Sequence, residues 1–243
     1  MNVKYQEYKF VEWSRGVSNE TWDIRRIISW LLARDAKHLT VADIGGGVGR
    51  VASVIAEAVP TVKVDVIDSS HLAAQSFIHH ERTNLICGDF LGTETKLRYD
   101  AVIFRTVLHH IVSRTDAATS QLQLKAIRKA SEMLLPGGAI FVTENIYDSF
   151  FLEDGTGRII YEMMCAKRLA PVFRRFGANT AGEGVRFRSL RAWSKFFDDA
   201  GLSIDGEIFT ERRDMPLWQR IPLLCEKHYQ VLVTLKQQPR ASR

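Results

Sequence analysis

The sequence of 243 residues is poor in cysteine, with Cys87, Cys165 and Cys225 spaced far apart. The count is odd and no C-x-x-C pair occurs, which argues against a disulfide framework and against a zinc site. No run approaches the roughly 18 consecutive apolar residues that a membrane-spanning helix requires. Residues 1–10 mix polar and aromatic side chains and lack the apolar core of a secretory signal. These absences predict a cytoplasmic protein with no membrane span and no metal.

Most of the chain is also close to electrically neutral. The formal net charge is +5, from 33 Lys and Arg against 28 Asp and Glu. Residues 158–191 hold eight basic and two acidic side chains and so carry +6, which leaves the other residues at −1. Nucleic-acid-binding proteins carry a broad basic surface, so no nucleic-acid partner is expected. The basic segment is either a solvated helix face or an element that recognises an anion.

Short apolar segments alternate with amphipathic ones through the first two thirds of the chain. The five predicted strands cover residues 39–44, 62–67, 84–87, 99–105 and 139–144. The predicted helices cover about residues 19–35, 48–58, 70–80 and 116–135. This alternation predicts an α/β fold with a doubly wound parallel sheet. Beyond it, residues 148–176 look helical, and segments 204–210 and 229–235 predict two late strands.

The sharpest motif joins the first strand to the next helix and reads VADIGGGVG over residues 41–49. Glycine allows a positive φ and a close approach of the backbone to a ligand. A strand-to-helix turn at the carboxyl edge of a parallel sheet is where such folds bind nucleotides. Read from Gly45 or from Gly46, the sequence fails the G-x-G-x-x-G pattern of dinucleotide-binding loops. The observed spacing, Gly45-x-Gly47-x-Gly49, therefore disfavours a nicotinamide cofactor.

Acidic residues follow the next two strands. Asp68 ends the second strand, where a carboxylate can accept hydrogen bonds from ribose hydroxyls. Asp89 and Phe90 follow the third strand, and the sequence LLPGG introduces the fifth. Taken in order, these features resemble the class I S-adenosylmethionine-dependent methyltransferases over residues 41–145.

The resemblance implies a fold and a cofactor. The fold would be a seven-stranded Rossmann-like sheet, mostly parallel with an antiparallel last strand, and with a helical cap after strand five. The whole chain, residues 1–243, would form one domain with an N-terminal helical lid at 1–36 and a substrate cap at 148–191. The glycines would pass under the methionine part of S-adenosylmethionine, and Asp68 would hold its ribose. The implied cofactor contacts are Asp43, Gly45, Gly47, Gly49, Asp68, Ser69, Asp89, Phe90 and the backbone of Arg105.

Two histidines after the fourth strand are the candidate catalytic residues. Methyl transfer needs a base when the acceptor must lose a proton, and histidine is the usual base near neutral pH. His109 and His110 fill this role in one interpretation and only shape the pocket in the other. The end of the fifth strand, with Glu144 and Tyr147, faces the same edge of the predicted sheet.

The acceptor predicted from the basic cap is a small molecule with an anionic group and an apolar part. Arginine forks suit carboxylate or phosphate, and interleaved aromatic side chains suit an apolar body. The candidate substrate-binding residues are Tyr147, Arg174, Arg175, Arg186 and Arg188. An RNA or protein methyltransferase and a non-catalytic cofactor-binding homologue are the alternatives. A homo-oligomer is compatible with the sequence.

Overall fold

The structure is a computed structural model that describes residues 21–93, 97–168, 170–175 and 180–239. Its helices are α1 (Trp22–Leu32), α2 (Arg50–Ala58), α3 (His71–Gln75), α4 (Asp116–Glu132), α5 (Gly155–Cys165), α6 (Ala170–Arg175), α7 (Leu190–Asp199) and α8 (Leu217–Arg220), with a 3₁₀ turn at Leu108–His110. Its strands are β1 (Leu39–Ile44), β2 (Val62–Asp68), β3 (Thr83–Cys87), β4 (Tyr99–Arg105), β5 (Leu134–Ser149), β6 (Leu202–Ile204), β7 (Phe209–Arg212) and β8 (Cys225–Gln237). Residues 1–20 of the predicted lid lie outside the described residues.

The strands form one mixed sheet in the order β3-β2-β1-β4-β5-β8-β6, and β7 also pairs with β8. β1 is parallel to β2 and β4, and β2 is parallel to β3. β8 is antiparallel to both β6 and β7. The predicted α/β fold, with a mostly parallel sheet and an antiparallel last strand, is therefore confirmed.

The late part of the sheet has one strand more than predicted. The segment 204–210 was expected to be continuous, but β6 ends at Ile204 and β7 begins at Phe209. Gly206 between them has φ 78°, in the left-handed region that interrupts an extended chain. One predicted strand thus becomes two short strands, both paired with β8.

The contacts divide the chain into two units. The first comprises Met1–Arg105 and Glu132–Phe141, and the second comprises Thr106–Ser131 and Val142–Arg243. In the first unit β1 is buried on both faces, as parallel strands usually are. In the second unit Trp193 and Phe197 of α7 are each 1% exposed. None of the helices in the described part of the chain combines the length and apolar character needed to cross a bilayer.

The fifth strand begins earlier than predicted. The Pro136-Gly137-Gly138 sequence was expected to form a turn after a helix ending near residue 135, but α4 ends at Glu132 and β5 already includes these residues. A Cβ at Gly138 would lie 2.9 Å from the carbonyl oxygen of Asp100, so this glycine lets the strand approach β4 closely. The backbone N–H of Tyr99 also donates to the carbonyl of Met133 at 2.8 Å. Pairing beside β4 therefore prevails over the turn propensity of the sequence.

The predicted long helix over residues 148–176 is wrong in part. β5 continues to Ser149, and α5 begins only at Gly155. Asp154, just before it, has a left-handed φ of 65°, which a continuous helix would not allow. Its carboxylate accepts a hydrogen bond from the backbone N–H of Ser189 at 2.9 Å. That long-range contact fixes where α5 starts.

Candidate active site

The turn from β1 to α2 forms a glycine cradle, defined here as residues 45–49. Gly45, Gly47 and Gly49 have φ values of 68°, 57° and 77°, all in the left-handed region. A Cβ at Gly46 would lie 2.4 Å from Oδ2 of Asp43, and one at Gly49 would lie 2.4 Å from the ring of Phe77. The cradle therefore has no room for a side chain at Gly46 or Gly49, and its positive φ values are ones that glycine adopts without strain.

Asp68 anchors the glycine cradle to the end of β2. Its Oδ2 accepts a hydrogen bond from the backbone N–H of Gly47 at 2.8 Å, and its Oδ1 accepts one from Ser70 at 2.8 Å. The residue is 8% exposed, and Ser69 beside it is exposed. Each carboxylate oxygen has a second lone pair, so Asp68 can still accept two hydroxyl donors. The anchoring contact to Gly47 was not foreseen from the sequence.

Asp43 presents a buried carboxylate oxygen that lacks a partner. The residue is 1% exposed, and its Oδ2 makes no hydrogen bond in the part of the chain that the structure describes. Burial raises the pKa of Asp43 to about 7, with the charge of Arg105 opposing this change and that of Asp68 adding to it. A cationic amino group would satisfy this oxygen. The cradle and Asp43 thus fit the methionine end of S-adenosylmethionine.

The predicted adenine contacts have other roles among the described residues. Oδ1 of Asp89 accepts a hydrogen bond from the backbone N–H of Leu91 at 3.2 Å, in a short turn that leaves the side chain exposed. Phe90 is 7% exposed and packs edge-to-face on Phe104, with ring centroids 5.8 Å apart. Adenine binding by this pair stays a prediction.

Arg105 uses its side chain to hold α1. Its Nε donates to Oδ2 of Asp23 at 2.8 Å, and its Nη2 donates to Oγ1 of Thr21 at 3.2 Å. Burial alone would raise the pKa of Asp23, but the charge and hydrogen bond of Arg105 lower it below its usual value. The sequence suggested only that Asp23 favours the start of a helix. A cofactor contact through the Arg105 backbone stays a prediction.

The second unit contains a histidine–glutamate pair. Nδ1 of His109 lies 2.6 Å from Oε2 of Glu144, and the two side chains are 6% and 1% exposed. Oε1 of Glu144 also accepts a hydrogen bond from the backbone N–H of His109 at 3.3 Å. With Nδ1 held by the carboxylate, Nε2 is the ring nitrogen available to an acceptor. This geometry matches a general base oriented by a third group.

His110 is placed differently from its neighbour. His110 is exposed, and the centroid of its ring lies 4.2 Å from that of the His109 ring. Desolvation by surrounding protein, followed by the charge of His109, lowers the pKa of His110 to about 3. Its imidazole makes no hydrogen bond within the described ranges, so nothing there fixes the ring as Glu144 fixes His109. Of the two predicted bases, the geometry favours His109.

Aromatic rings continue from His109 as a column, defined here as His109, Phe187, Tyr147 and His228. The successive ring centroids lie 4.4, 4.8 and 4.3 Å apart. Burial raises the pKa of Tyr147 to about 12, so its phenol stays neutral. Burial, with the charge of Arg213 second, lowers the pKa of His228 to about 4. Phe187, Tyr147 and His228 therefore form an uncharged wall beside His109.

The four candidate arginines do not form one group. Arg186 and Arg188 are 2% and 4% exposed, and their guanidinium groups are bound by side chains of the same unit. This placement argues against the expectation that they bind an anionic acceptor, because both are buried and every guanidinium nitrogen already donates to a group of the same unit. Arg175 is exposed, and Nε of half-buried Arg174 is buried without a partner among the described residues. Substrate binding by Arg174 and Arg175 stays a prediction.

Comparison with known proteins gives one consistent result. A family model described as a methyltransferase domain matches residues 17–206, more than half of the chain. Eugenol O-methyltransferase of Ocimum basilicum is 29% identical over 124 residues, covering 49% of this chain and 32% of that protein. Acetylserotonin O-methyltransferase 3 of Oryza sativa subsp. japonica is 28% identical over 167 residues, covering 68% and 40%. The chain thus spans a third to two fifths of the length of these relatives.

A solved structure shows the same fold. A candidate methyltransferase of Bacillus halodurans C-125 superposes with a TM-score of 0.57 at 14% identity, and the match covers 87% of this chain and 99% of that one. At this identity the likeness concerns the fold alone. It agrees with the Rossmann-like sheet described above.

Proposed function

The chain belongs to the methyltransferase domain family, within the class I S-adenosylmethionine-dependent methyltransferases, and on that premise we propose that it methylates a hydroxyl group of a small aromatic molecule. The pairing of His109 with Glu144 carries the proposal, because a hydroxyl acceptor must lose a proton during transfer. The names of the two plant relatives, which are O-methyltransferases, support the same acceptor atom.

The first unit would bind the methyl donor. When bound, S-adenosylmethionine supplies a methyl group activated by a sulfonium centre. The glycine cradle would bring backbone groups close to the methionine part. Asp43 would accept hydrogen bonds from the amino group, and Asp68 would accept them from the ribose hydroxyls while holding Gly47.

The second unit would supply the base. Nε2 of His109 takes the proton from the acceptor hydroxyl, and the resulting positive charge on the ring is stabilised by Glu144 at 2.6 Å. The same carboxylate accepts from the backbone N–H of Asn145 at 3.2 Å, which restrains its own position. His109 would thus act as the base, and the buried carboxylate of Glu144 would hold it in one orientation.

The acceptor class follows from the aromatic column. Phe187 and Tyr147 are uncharged and half-buried, and the exposed edges of their rings next to the base suit an aromatic acceptor better than a flexible polar chain. An anionic substituent, if the acceptor carries one, would be bound by Arg174. Arg186 and Arg188 are buried, and their guanidinium nitrogens are bound within the second unit.

The test is transfer of an isotope-labelled methyl group from S-adenosylmethionine to small phenols, eugenol and N-acetylserotonin among them, followed by mass spectrometry. We expect O-methylation of at least one phenol, and a fall in kcat of about 10²–10⁴-fold in His109→Gln. His110→Gln is the matched control, and its kcat should fall less than about tenfold because no acid orients His110. Methylation of amines alone, or equal rates in wild type and His109→Gln, would contradict the proposal.

A further inference from the structure

Two buried arginines flank the ring that packs on His109. Arg188 forms an isolated parallel bridge with Ile146 of β5. The guanidinium groups of Arg186 and Arg188 both donate to Oδ2 of Asp154, so these two side chains meet at one carboxylate. Phe187, between them in sequence, packs instead on the imidazole of His109, with ring centroids 4.4 Å apart and an interplanar angle of 29°.

The two arginines belong to a closed polar network. Arg186 donates from Nε to Oδ1 of Asp116 at 2.6 Å and from Nη2 to Oδ2 of Asp154 at 2.7 Å. Arg188 donates from Nη1 to the same Asp154 oxygen at 3.0 Å and from Nε to Oε1 of Gln123 at 2.7 Å. Two guanidinium charges thus meet two carboxylates, which a buried cluster of this kind requires.

The network reaches the backbone that carries His109. Nε2 of Gln123 donates to the carbonyl of Leu108 at 3.0 Å and to that of Arg186 at 3.2 Å. The backbone N–H of Arg186 donates to the carbonyl of His109 at 2.8 Å. Gln123 is fully buried, so these bonds have no water to replace them. The 3₁₀ turn that carries His109 and the segment that carries Phe187 are therefore joined by hydrogen bonds.

We propose that Gln123, Arg186, Arg188 and Asp154 are positioning residues for His109, holding its backbone and pressing Phe187 against its ring so that Nδ1 stays on Glu144. The inference rests on the proposed role of His109 as the base. Replacing a buried ion cluster with apolar side chains is often neutral or stabilising, so stability alone does not explain its presence. Fixing one orientation of a ring is a different task, and a network that uses every guanidinium nitrogen of Arg188 suits it.

The experiment observes the histidine ring without an acceptor. The protein is labelled with ¹⁵N-histidine, and His109 is identified among the 7 histidines by its absence from His109→Gln. In the wild type we expect one tautomer, with the proton on Nδ1. In Gln123→Leu the ring nitrogen shifts should move toward the average of the two tautomers.

A matched control and a second variant complete the design. Glu153→Gln lies next to Asp154 but weakens only exposed ion pairs with Lys195 and Arg191, so the His109 signals should not change. If Gln123→Leu does not fold, Phe187→Leu gives the answer, because it removes the ring contact and none of the network's hydrogen bonds. A wild-type tautomer of His109 in whichever of these variants fold would overturn the inference. The methylation assay on His109→Gln tests the base itself, so the two failures are distinguishable.

Discussion

At the scale of single residues, two buried aspartates of the first unit differ in what faces them. Asp23 is fully buried and is neutralised by Arg105 at 2.8 Å. Asp43 is also buried, but its Oδ2 has no partner within the described residues, and Arg105 acts on it only through its charge. A carboxylate left in this state destabilises the chain unless it is protonated or meets a cation. A bound amino group would therefore supply the hydrogen-bond partner that Oδ2 of Asp43 lacks.

Asp43 should make the stability of the cofactor-free protein depend on pH. Its pKa rises from 3.8 to about 7 on folding, so the folded chain binds more protons between these values and loses stability as pH rises through them. At 1.36 kcal/mol per pH unit the loss is about 4 kcal/mol at most. Urea denaturation at pH 5 and pH 8 should show a smaller fall in the free energy of unfolding for Asp43→Asn than for wild type. The same pH dependence in both proteins would refute the assignment.

The residues that could be predicted from sequence are those whose role depends on local pattern. The positions of the cradle glycines, and of the acids near the ends of β1 and β2, follow from spacing along the chain. The partners of His109 and Arg105 could not be predicted, because Glu144 and Asp23 lie 35 and 82 residues away in sequence. The aspartate partners of Arg186 and Arg188 were also missed, because they lie 70 and 34 residues away in sequence. A basic segment predicts that an anionic group lies nearby. It does not say whether that group belongs to a ligand or to an aspartate of the same chain.

At the scale of elements, the packing of α5 depends on a glycine. A Cβ at Gly157 would lie 2.0 Å from the carbonyl oxygen of Phe187 and 2.7 Å from Nη1 of Arg186. The carbonyl belongs to the backbone and cannot turn away as a side chain does. Gly157 therefore allows α5 to pack directly on the segment that carries Phe187. The predicted helix over 148–176 missed this, since its boundary depends on a packing contact rather than on helix propensity.

Gly157→Ala should therefore destabilise the protein, although alanine is the better helix former. Overpacking at such a site costs about 1–3 kcal/mol, more than the roughly 0.5–1 kcal/mol gained from alanine in a helix. Gly155→Ala is the control in the same helix, because its nearest atoms are side-chain atoms of Leu152 and Ser149 at 3.0 and 3.1 Å. Thermal unfolding should give a lower Tm for Gly157→Ala than for Gly155→Ala. Equal Tm values would show that α5 is not packed as described.

At the scale of the whole molecule, the α/β class with a doubly wound parallel sheet followed from alternating apolar and amphipathic segments. The antiparallel pairing of β8 agrees with what the resemblance to the class I methyltransferases implied, and the order of the strands was not predicted. The ends of β5 and the division of the late strand did not follow, because pairing with β4 and the left-handed Gly206 decide them. Periodicity thus predicts which elements exist, and tertiary contacts decide where they end.

Calorimetric titration of the full chain with S-adenosylmethionine, S-adenosylhomocysteine and NAD tests the central claim most directly. The glycine cradle, Asp43 and Asp68 predict that both S-adenosyl compounds bind at one site and that NAD does not. Asp68→Ala should weaken both, by about 1.5–3 kcal/mol at most for each charge-assisted hydrogen bond lost. Tight binding of NAD with no heat from either S-adenosyl compound would contradict the account.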